Sequence, residues 1–292
     1  MRLNGLLLQS MSTLFQAIMQ TQAKLLSARG FSVLQTVFCR SIILLNFAMY
    51  LTWVNAKNPF RSERKLLLLV RGIFGFLTVT SVYWSVHVMP LQDATVLMFL
   101  SPCLVALASP FILGQPVNKA VFFSIPVAFT GVVLVAQPPA IFGGQEGGMS
   151  LKNFLIGSSQ AITASVAKLS VSFLGKSEPT AHIIMSMALV SCMGSSFGSL
   201  LNWKLPHDPL EFLFLLGVGV CACLVQFTAT LALKRSNTAS VMSISYLGIV
   251  WSILIDYIVF GMAPNLLSIC GSTLVIVSNL CLILYERLAS PM

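Results

Sequence analysis

The chain has 292 residues, of which 57% are hydrophobic and only 9% are charged. So little polar surface excludes an ordinary soluble globule. The net charge of +9 would indicate nucleic acid binding in a soluble chain, but the basic residues lie mostly at the ends of apolar stretches, where they favour a membrane surface, and we exclude nucleic acid as a partner.

Ten apolar stretches, each long enough to cross a bilayer, fill almost the whole chain. A hydrocarbon core about 30 Å thick needs roughly 20 apolar residues per helix. We therefore expect an all-α membrane protein with ten transmembrane helices and no room for a soluble catalytic domain. The predicted spans are 5–24, 34–54, 66–88, 94–113, 119–137, 151–174, 181–201, 210–232, 239–260 and 265–284.

A Gly/Pro-rich linker at 138–150 separates the first five spans from the last five, and the two halves are weakly similar. Ala94-Thr95-Val96 opens span four as Ala239-Ser240-Val241 opens span nine. Because each half has an odd number of spans, the second must enter the membrane from the opposite face. We predict two inverted five-helix repeats, the architecture of many secondary transporters, although a duplication without a transport role is the alternative. The predicted units are residues 1–138, the linker 139–150 and residues 151–292.

Basic residues indicate the orientation. With the N-terminus in the cytosol, 11 of the 17 Lys and Arg residues, Arg71 among them, fall on the cytosolic side and four on the other, while Arg40 and Lys168 lie within spans. This excess favours two cytosolic termini. The sequence leaves open the plasma membrane, Golgi or endoplasmic reticulum as the location, and a homodimer as the assembly.

Several runs resemble the drug/metabolite transporter superfamily. They are Arg71-Gly72-Ile73, the run from Val88 to Pro102, Thr130 to Leu134 followed by Pro138-Pro139, and in the second half Tyr246, Val250-Trp251, Phe260-Gly261 and Pro264. The pattern is similar to the EamA-type branch that includes solute carrier family 35 group G. This resemblance implies inverted repeats, a central cavity and alternating access, but no particular solute. Gln115 and Met262 stand where many members of the family carry Glu.

Polar residues within the spans are the candidates for a solute site, because intramembrane polar groups are costly unless they face protein or water. Gln9, Thr13, Gln16 and Gln20 share one face of span one, as Ser158, Ser165, Lys168 and Ser172 do in span six. The alternatives are hydrogen bonding between helices and, for Lys168, snorkelling to the headgroups. The predicted binding residues are Gln16, Gln20, Arg40, Tyr83, Trp84, Ser165, Lys168, Gln226, Tyr246 and Trp251.

Charge within the spans indicates the kind of solute. Arg40 cannot lose its proton and suits a carboxylate or phosphate, although a structural bridge is the alternative. Asp256 is the only acid deep in a predicted span, and it could titrate or neutralise Arg40 or Lys168. Two cations against one acid favour an anionic or zwitterionic solute, and the scarcity of acids favours exchange or facilitated passage over proton drive.

Two other classes of function stay open at this point. A polytopic membrane enzyme acting on lipid would use Ser196 or His87, since Gly194 to Gly198 matches a Gly-x-Ser-x-Gly pattern, although small residues four apart more often pack helices. A non-transporting structural or regulatory protein is the other. We find no metal-ligand spacing and expect no cofactor, and the leading prediction is a secondary transporter, not an enzyme, with a small-molecule solute and lipid as partners.

Overall fold

The computed structural model describes residues 2–54, 62, 64–88, 97–114, 119–136, 141, 151–201, 203–260 and 265–289, and of the predicted linker only residue 141. Over these ranges the chain is helical, and the ten predicted spans correspond to eleven α-helices because span nine is in two pieces. The helices are α1 (Arg2–Ala28), α2 (Val33–Val54), α3 (Lys65–Val88), α4 (Leu100–Leu113), α5 (Lys119–Ala136), α6 (Leu151–Leu174), α7 (Thr180–Leu201), α8 (Pro209–Arg235), α9 (Thr238–Ile244), α10 (Leu247–Phe260) and α11 (Leu266–Ala289).

The outer surface of the bundle suits lipid. Five described segments are long and apolar enough to span a bilayer: Val33–Val54, Lys65–Ser85, Thr180–Leu200, Pro209–Arg235 and Thr238–Val259. Large apolar side chains face outward, such as Phe111, which is 89% exposed, and Phe123, which is 69% exposed. Such exposure would be unfavourable in water and is ordinary in hydrocarbon. The predicted all-α, multi-pass membrane class is confirmed.

Span nine, predicted over 239–260, is found as two helices separated by a short break. Helix α9 ends at Ile244 and α10 begins at Leu247. Around this break the backbone bonds are tighter than in an α-helix: the Gly248 amide donates to the Ser245 carbonyl (3.1 Å) and the Ile249 amide to the Tyr246 carbonyl (3.1 Å). Such three-residue spacing within a span is typical of a hinge.

Span four is interrupted too, and the two interruptions meet. Leu97 and Met98 are helical, Phe99 forms a turn, and α4 continues from Leu100. The ring of Phe99 stacks on that of Tyr246, with centroids 5.6 Å apart and planes 28° from parallel. Tyr246 is completely buried, and its hydroxyl lies 2.8 Å from Cys103 Sγ. An aromatic contact thus joins the irregular points of two spans that are five apart in the chain order.

The helices pack in antiparallel pairs. Helix α1 packs against α8, and α3 against α6, while α2 packs against α7 and α5 against α11. The α5–α11 contact brings backbones together: a methyl group on Gly131 would collide with the Gly271 carbonyl, and one on Gly271 with the Gly131 carbonyl. Small residues allow this approach in membranes, where packing and not the hydrophobic effect joins helices.

Polar contacts tie the loops together at each end of the bundle. The end that holds the start of α1 and the end of α8, called the N-terminal end, has Glu178 near its centre. Its carboxylate accepts hydrogen bonds from Ser62 Oγ (2.6 Å) and pairs with His182 (3.2 Å), while Lys234 Nζ donates to its backbone carbonyl (2.8 Å). These contacts fix the α2–α3 and α6–α7 loops to the end of α8.

The opposite, or distal, end has a similar cluster around Lys204. The Lys204 amide donates to Gln35 Oε1 (3.1 Å), and Lys204 Nζ donates to the Arg29 carbonyl (2.5 Å). Arg29 Nη1 in turn lies 3.6 Å from Asp208 Oδ2. The α1–α2 loop is therefore bound to the α7–α8 loop. Each cluster joins the second loop of one half to the first loop of the other, so the two clusters correspond to each other when the halves are exchanged.

Candidate functional site

A cavity of about 880 Å³ lies among the helices. Its lining follows α1 from Gln9 to Ser27, a rise of about 27 Å at 1.5 Å per residue, which is most of a bilayer core. Lys24 and Ser27 are exposed lining residues at the distal end. Beyond Gln9, at the N-terminal end, Leu6 and Leu174 are buried in the apolar core. The cavity therefore opens towards the distal end.

Six of the ten predicted binding residues line this cavity. They come from five helices that are far apart in the sequence, which only the tertiary fold brings together. Whether they bind solute stays a prediction. The six are Gln16, Gln20, Arg40, Tyr83, Lys168 and Gln226.

The other four lie outside the lining, and the reasons differ. Trp84 is 53% exposed on the outer surface, as a lipid-facing aromatic would be. Tyr246 is in the core against Phe99. Ser165 bonds to its own helix at the Ala161 carbonyl (2.6 Å), and Trp251 is half-buried with no described partner for its indole N–H.

The polar stripe of α1 (Gln9, Thr13, Gln16 and Gln20) both lines the cavity and forms hydrogen bonds between helices, the two alternatives that the sequence allowed. All four stripe residues line the cavity. At the same time Gln9 Nε2 donates to Ser245 Oγ (2.9 Å), at the break between α9 and α10, and Gln20 Nε2 donates to Met98 Sδ (3.7 Å), beside the interruption of span four. The stripe thus forms one wall of the cavity and bonds to both interrupted spans.

Lys168 is the stripe residue of α6 that lines the cavity. Its Nζ donates to Ser101 Oγ (3.3 Å) on α4, so it bonds within the bundle instead of snorkelling to the headgroups. Ser172 accepts a hydrogen bond from Thr238 Oγ1 (2.9 Å) and serves helix packing. The predicted polar face of α6 is therefore only partly a cavity face.

Arg71 is a cavity residue that the site prediction missed. It was counted as a cytosolic loop charge, but it lies within α3, is only 5% exposed and lines the cavity. Its Nη2 donates to Gln226 Oε1 (2.9 Å) and to Met187 Sδ (3.2 Å). The signal that could have found Arg71 was its place in an apolar span. Without Arg71, the count of Lys and Arg residues on the cytosolic side falls to ten, against four on the other side.

Arg40 and Arg71 lie near each other in the cavity. Arg40 is only 4% exposed, and the two guanidinium groups are close enough to repel each other electrostatically. The Tyr83 side chain lies beside Arg40. Among the described residues, neither guanidinium forms an ion pair with a carboxylate.

The cavity is basic throughout the part of its wall that the structure describes. That wall contains four cations, Lys24, Arg40, Arg71 and Lys168, and no Asp or Glu. The Asp256 side chain lies outside the described residues, so its pairing stays a prediction. Cations that line one cavity without acids in the described wall create a positive potential that favours negatively charged ligands.

Ser196 does not have the setting of a nucleophile. It lies within the continuous helix α7, and its hydroxyl donates to the Met193 carbonyl (2.8 Å) in its own helix. Gly194 packs against Phe76 and Gly198 against Leu34, which is the expected use of a small-residue pair. A Gly-x-Ser-x-Gly nucleophile needs a sharp turn between a strand and a helix. The His87 side chain lies outside the described residues.

Comparison with known proteins shows what the chain is similar to. Residues 3–137 match the EamA-like transporter family, and the whole fold matches a solved crystal structure with a TM-score of 0.82 at 18% identity, covering 99% of this chain and 100% of that one. The chain is similar to EamA-type transporters of the drug/metabolite kind. The family match and the relatives named as transporters, together with the helical fold, indicate a membrane transporter of small molecules and not an enzyme.

Similar proteins cover most of this chain. A probable transport protein of Saccharomyces cerevisiae is 26% identical over 94% of this chain and 87% of its own length. A pseudopaline exporter of Pseudomonas aeruginosa is 25% identical over 96% of this chain and 95% of its own length. Solute carrier family 35 member G1 of Homo sapiens is 24% identical over 74% of this chain and 61% of its own length. The resemblance inferred from the sequence is confirmed.

Proposed function

We propose that this protein moves a small anionic or zwitterionic organic metabolite across a membrane by alternating access. The observation that carries the proposal is the basic cavity, in which Arg40, Arg71 and Lys168 face the same space without a described acid in the lining. A ligand with a carboxylate or phosphate would supply the missing negative charge. The name of the similar pseudopaline exporter supports an organic solute.

The pattern of helix contacts supports two inverted repeats, residues 1–138 and 151–292. Counting spans, the four main helix pairs map onto one another when the two halves are exchanged. Helix α1 packs on α8 as α6 packs on α3, and α2 packs on its own counterpart α7, as α5 does on α11. A twofold axis in the membrane plane would generate this set of pairs.

Two features support alternating access between these repeats. Spans four and nine are interrupted at corresponding places beside the cavity, and discontinuous helices at the repeat interface are typical of secondary transporters. Corresponding polar clusters around Glu178 and Lys204 tie one loop of each half together at the two ends. Rocking of one repeat against the other would release one cluster while the other stays closed.

We further propose that both termini are cytosolic, so the cavity opens away from the cytosol. The Lys and Arg excess on that side supports this orientation even without Arg71. The similarity to solute carrier family 35 member G1 keeps the plasma membrane, Golgi and endoplasmic reticulum as candidate locations. A homodimer stays a prediction.

The test starts with an unbiased metabolite comparison between cells with and without the protein, followed by flux of the leading anionic metabolite in proteoliposomes. Arg40→Ala should abolish that flux, because it removes a buried cation from the cavity wall. Lys176→Ala removes a cation from an exposed position outside the cavity and should leave flux unchanged. Unchanged flux in Arg40→Ala, or transport of neutral solutes only, would contradict the proposal.

A further inference from the structure

The pair formed by Arg40 and Arg71 has more hydrogen-bonding capacity than the protein uses. Among the described residues, Arg71 is held in place through Nη2, which donates to Gln226 and Met187. The Nε atoms of both arginines are enclosed and have no hydrogen-bond partner in the part of the chain that the structure describes. Enclosed donors without acceptors are costly, and charged ones most of all. A ligand with several acceptor oxygens would therefore satisfy these donors.

Charge balance indicates the net charge of the ligand group that would bind beside the two arginines. Two guanidinium groups repel each other here, and no carboxylate among the described lining residues offsets them. A group with one negative charge would neutralise only one of them. A compact group with two negative charges would neutralise both and offer oxygens to each, in the paired geometry that guanidinium favours.

We propose that the Arg40–Arg71 pair binds one doubly charged oxyanion group of the solute and selects it over a singly charged group of the same shape. This inference rests on the proposed transport of an anion and specifies the group that the cavity recognises. Lys168 donates to Ser101 on α4 and, in this proposal, contributes positive potential without setting this selectivity.

Gly75 keeps space for the pair. A methyl group there would collide with Arg71 Nη1 and with Met187. Gly75→Ala therefore displaces the Arg71 guanidinium without changing any charge. Gly75→Ala therefore tests the position of the Arg71 guanidinium while its charge is kept, which a charge-removing variant cannot do.

Methyl phosphate and methyl sulfate test the proposal, because they share a tetrahedral shape but carry two charges and one charge at about pH 8, well above the second phosphate pKa of roughly 6. Binding to the purified full-length protein is measured by the concentration dependence of the thermal unfolding midpoint. We expect methyl phosphate to bind at least about tenfold more tightly, since charge-assisted hydrogen bonds to both guanidiniums form with it.

Variants test whether the Arg40–Arg71 pair causes the preference for methyl phosphate. Arg40→Gln, Arg71→Gln and Gly75→Ala should each reduce the preference towards one, whereas Lys168→Gln should weaken both ligands and preserve their ratio. Equal binding of the two probes, no binding of either, or an unchanged ratio in Arg71→Gln and Gly75→Ala would overturn the proposal. Continued flux of an anionic metabolite in that case would leave the transport function standing.

Discussion

Phe99 and Tyr246 stack ring on ring at the points where spans four and nine are interrupted. Phe99 also lines the cavity, whereas Tyr246 lies behind it in the core. The contact therefore connects the cavity wall to the place where both helices depart from regular geometry. A change in the cavity can alter the stack, and through it the relation between the two halves.

The two tyrosines predicted as binding residues should behave differently when each loses its hydroxyl. Tyr246→Phe removes the contact with Cys103 and should cost about 1 kcal/mol of stability. It should leave KM for the solute unchanged, because Tyr246 lies outside the cavity lining. Tyr83→Phe removes a hydroxyl beside Arg40 within the lining and should raise KM. Flux kinetics and thermal unfolding together check this, and a raised KM in Tyr246→Phe alone would contradict the assignment.

A carboxylate placed beside Arg71 should block anion transport. In Gln226→Glu the new carboxylate replaces the amide whose oxygen accepts from Arg71 Nη2 at 2.9 Å, and it would pair with that cation permanently. We expect flux to fall at least about tenfold while thermal stability holds or rises, since a buried charge gains a partner. The measurement is initial-rate uptake in proteoliposomes.

Gln20→Glu is the matched control for that experiment, because it makes the same charge change in the same cavity beside Met98. It should reduce flux less than Gln226→Glu does. Equal losses in the two variants would mean that the overall potential of the cavity matters and the position of Arg71 does not.

The backbone contact between α5 and α11 should not tolerate a single methyl group. Gly131→Ala or Gly271→Ala drives a methyl into the opposite carbonyl, and overpacking of this kind costs about 1–3 kcal/mol. Gly248→Ala is the control, since its new methyl would meet neighbours only at ordinary contact distances of 3.5 Å and beyond. Thermal unfolding of purified protein checks this, and equal midpoints for all three variants would contradict the close approach.

The orientation of the cavity can be tested by labelling in a cysteine-free background. Ser27 is an exposed lining residue at the distal end, whereas Leu6 is 2% exposed at the N-terminal end. Ser27→Cys should react with an impermeant maleimide added from the non-cytosolic side, and Leu6→Cys should not. Reaction of Ser27→Cys from the cytosolic side only would reverse the proposed orientation.

The sequence predicts the fold class well, because hydropathy alone marks the spans. The division into five-span halves, which follows from one linker, stays a prediction. The sequence predicts the site less well. The polar stripe of α1 was found because its residues recur on one face, but Arg71 was missed because a basic residue near a span end is usually a loop charge. Trp84 and Tyr246 were included on residue type, and only packing distinguishes a cavity aromatic from one in lipid or core. The interruptions of spans four and nine had weak local signals that were not used: Pro102 cannot donate to the Met98 carbonyl beside Phe99, and Gly248 lies two residues after Tyr246.

The most direct test of a carrier that alternates around one anion site is counterflow. Proteoliposomes containing the purified protein are loaded with the unlabelled anionic metabolite, and uptake of the labelled form is measured with and without the internal load. A carrier of this kind predicts faster uptake into loaded vesicles by the wild type and loss of that acceleration in Gln226→Glu. Uptake that ignores the internal load, or acceleration that survives in Gln226→Glu, would contradict it.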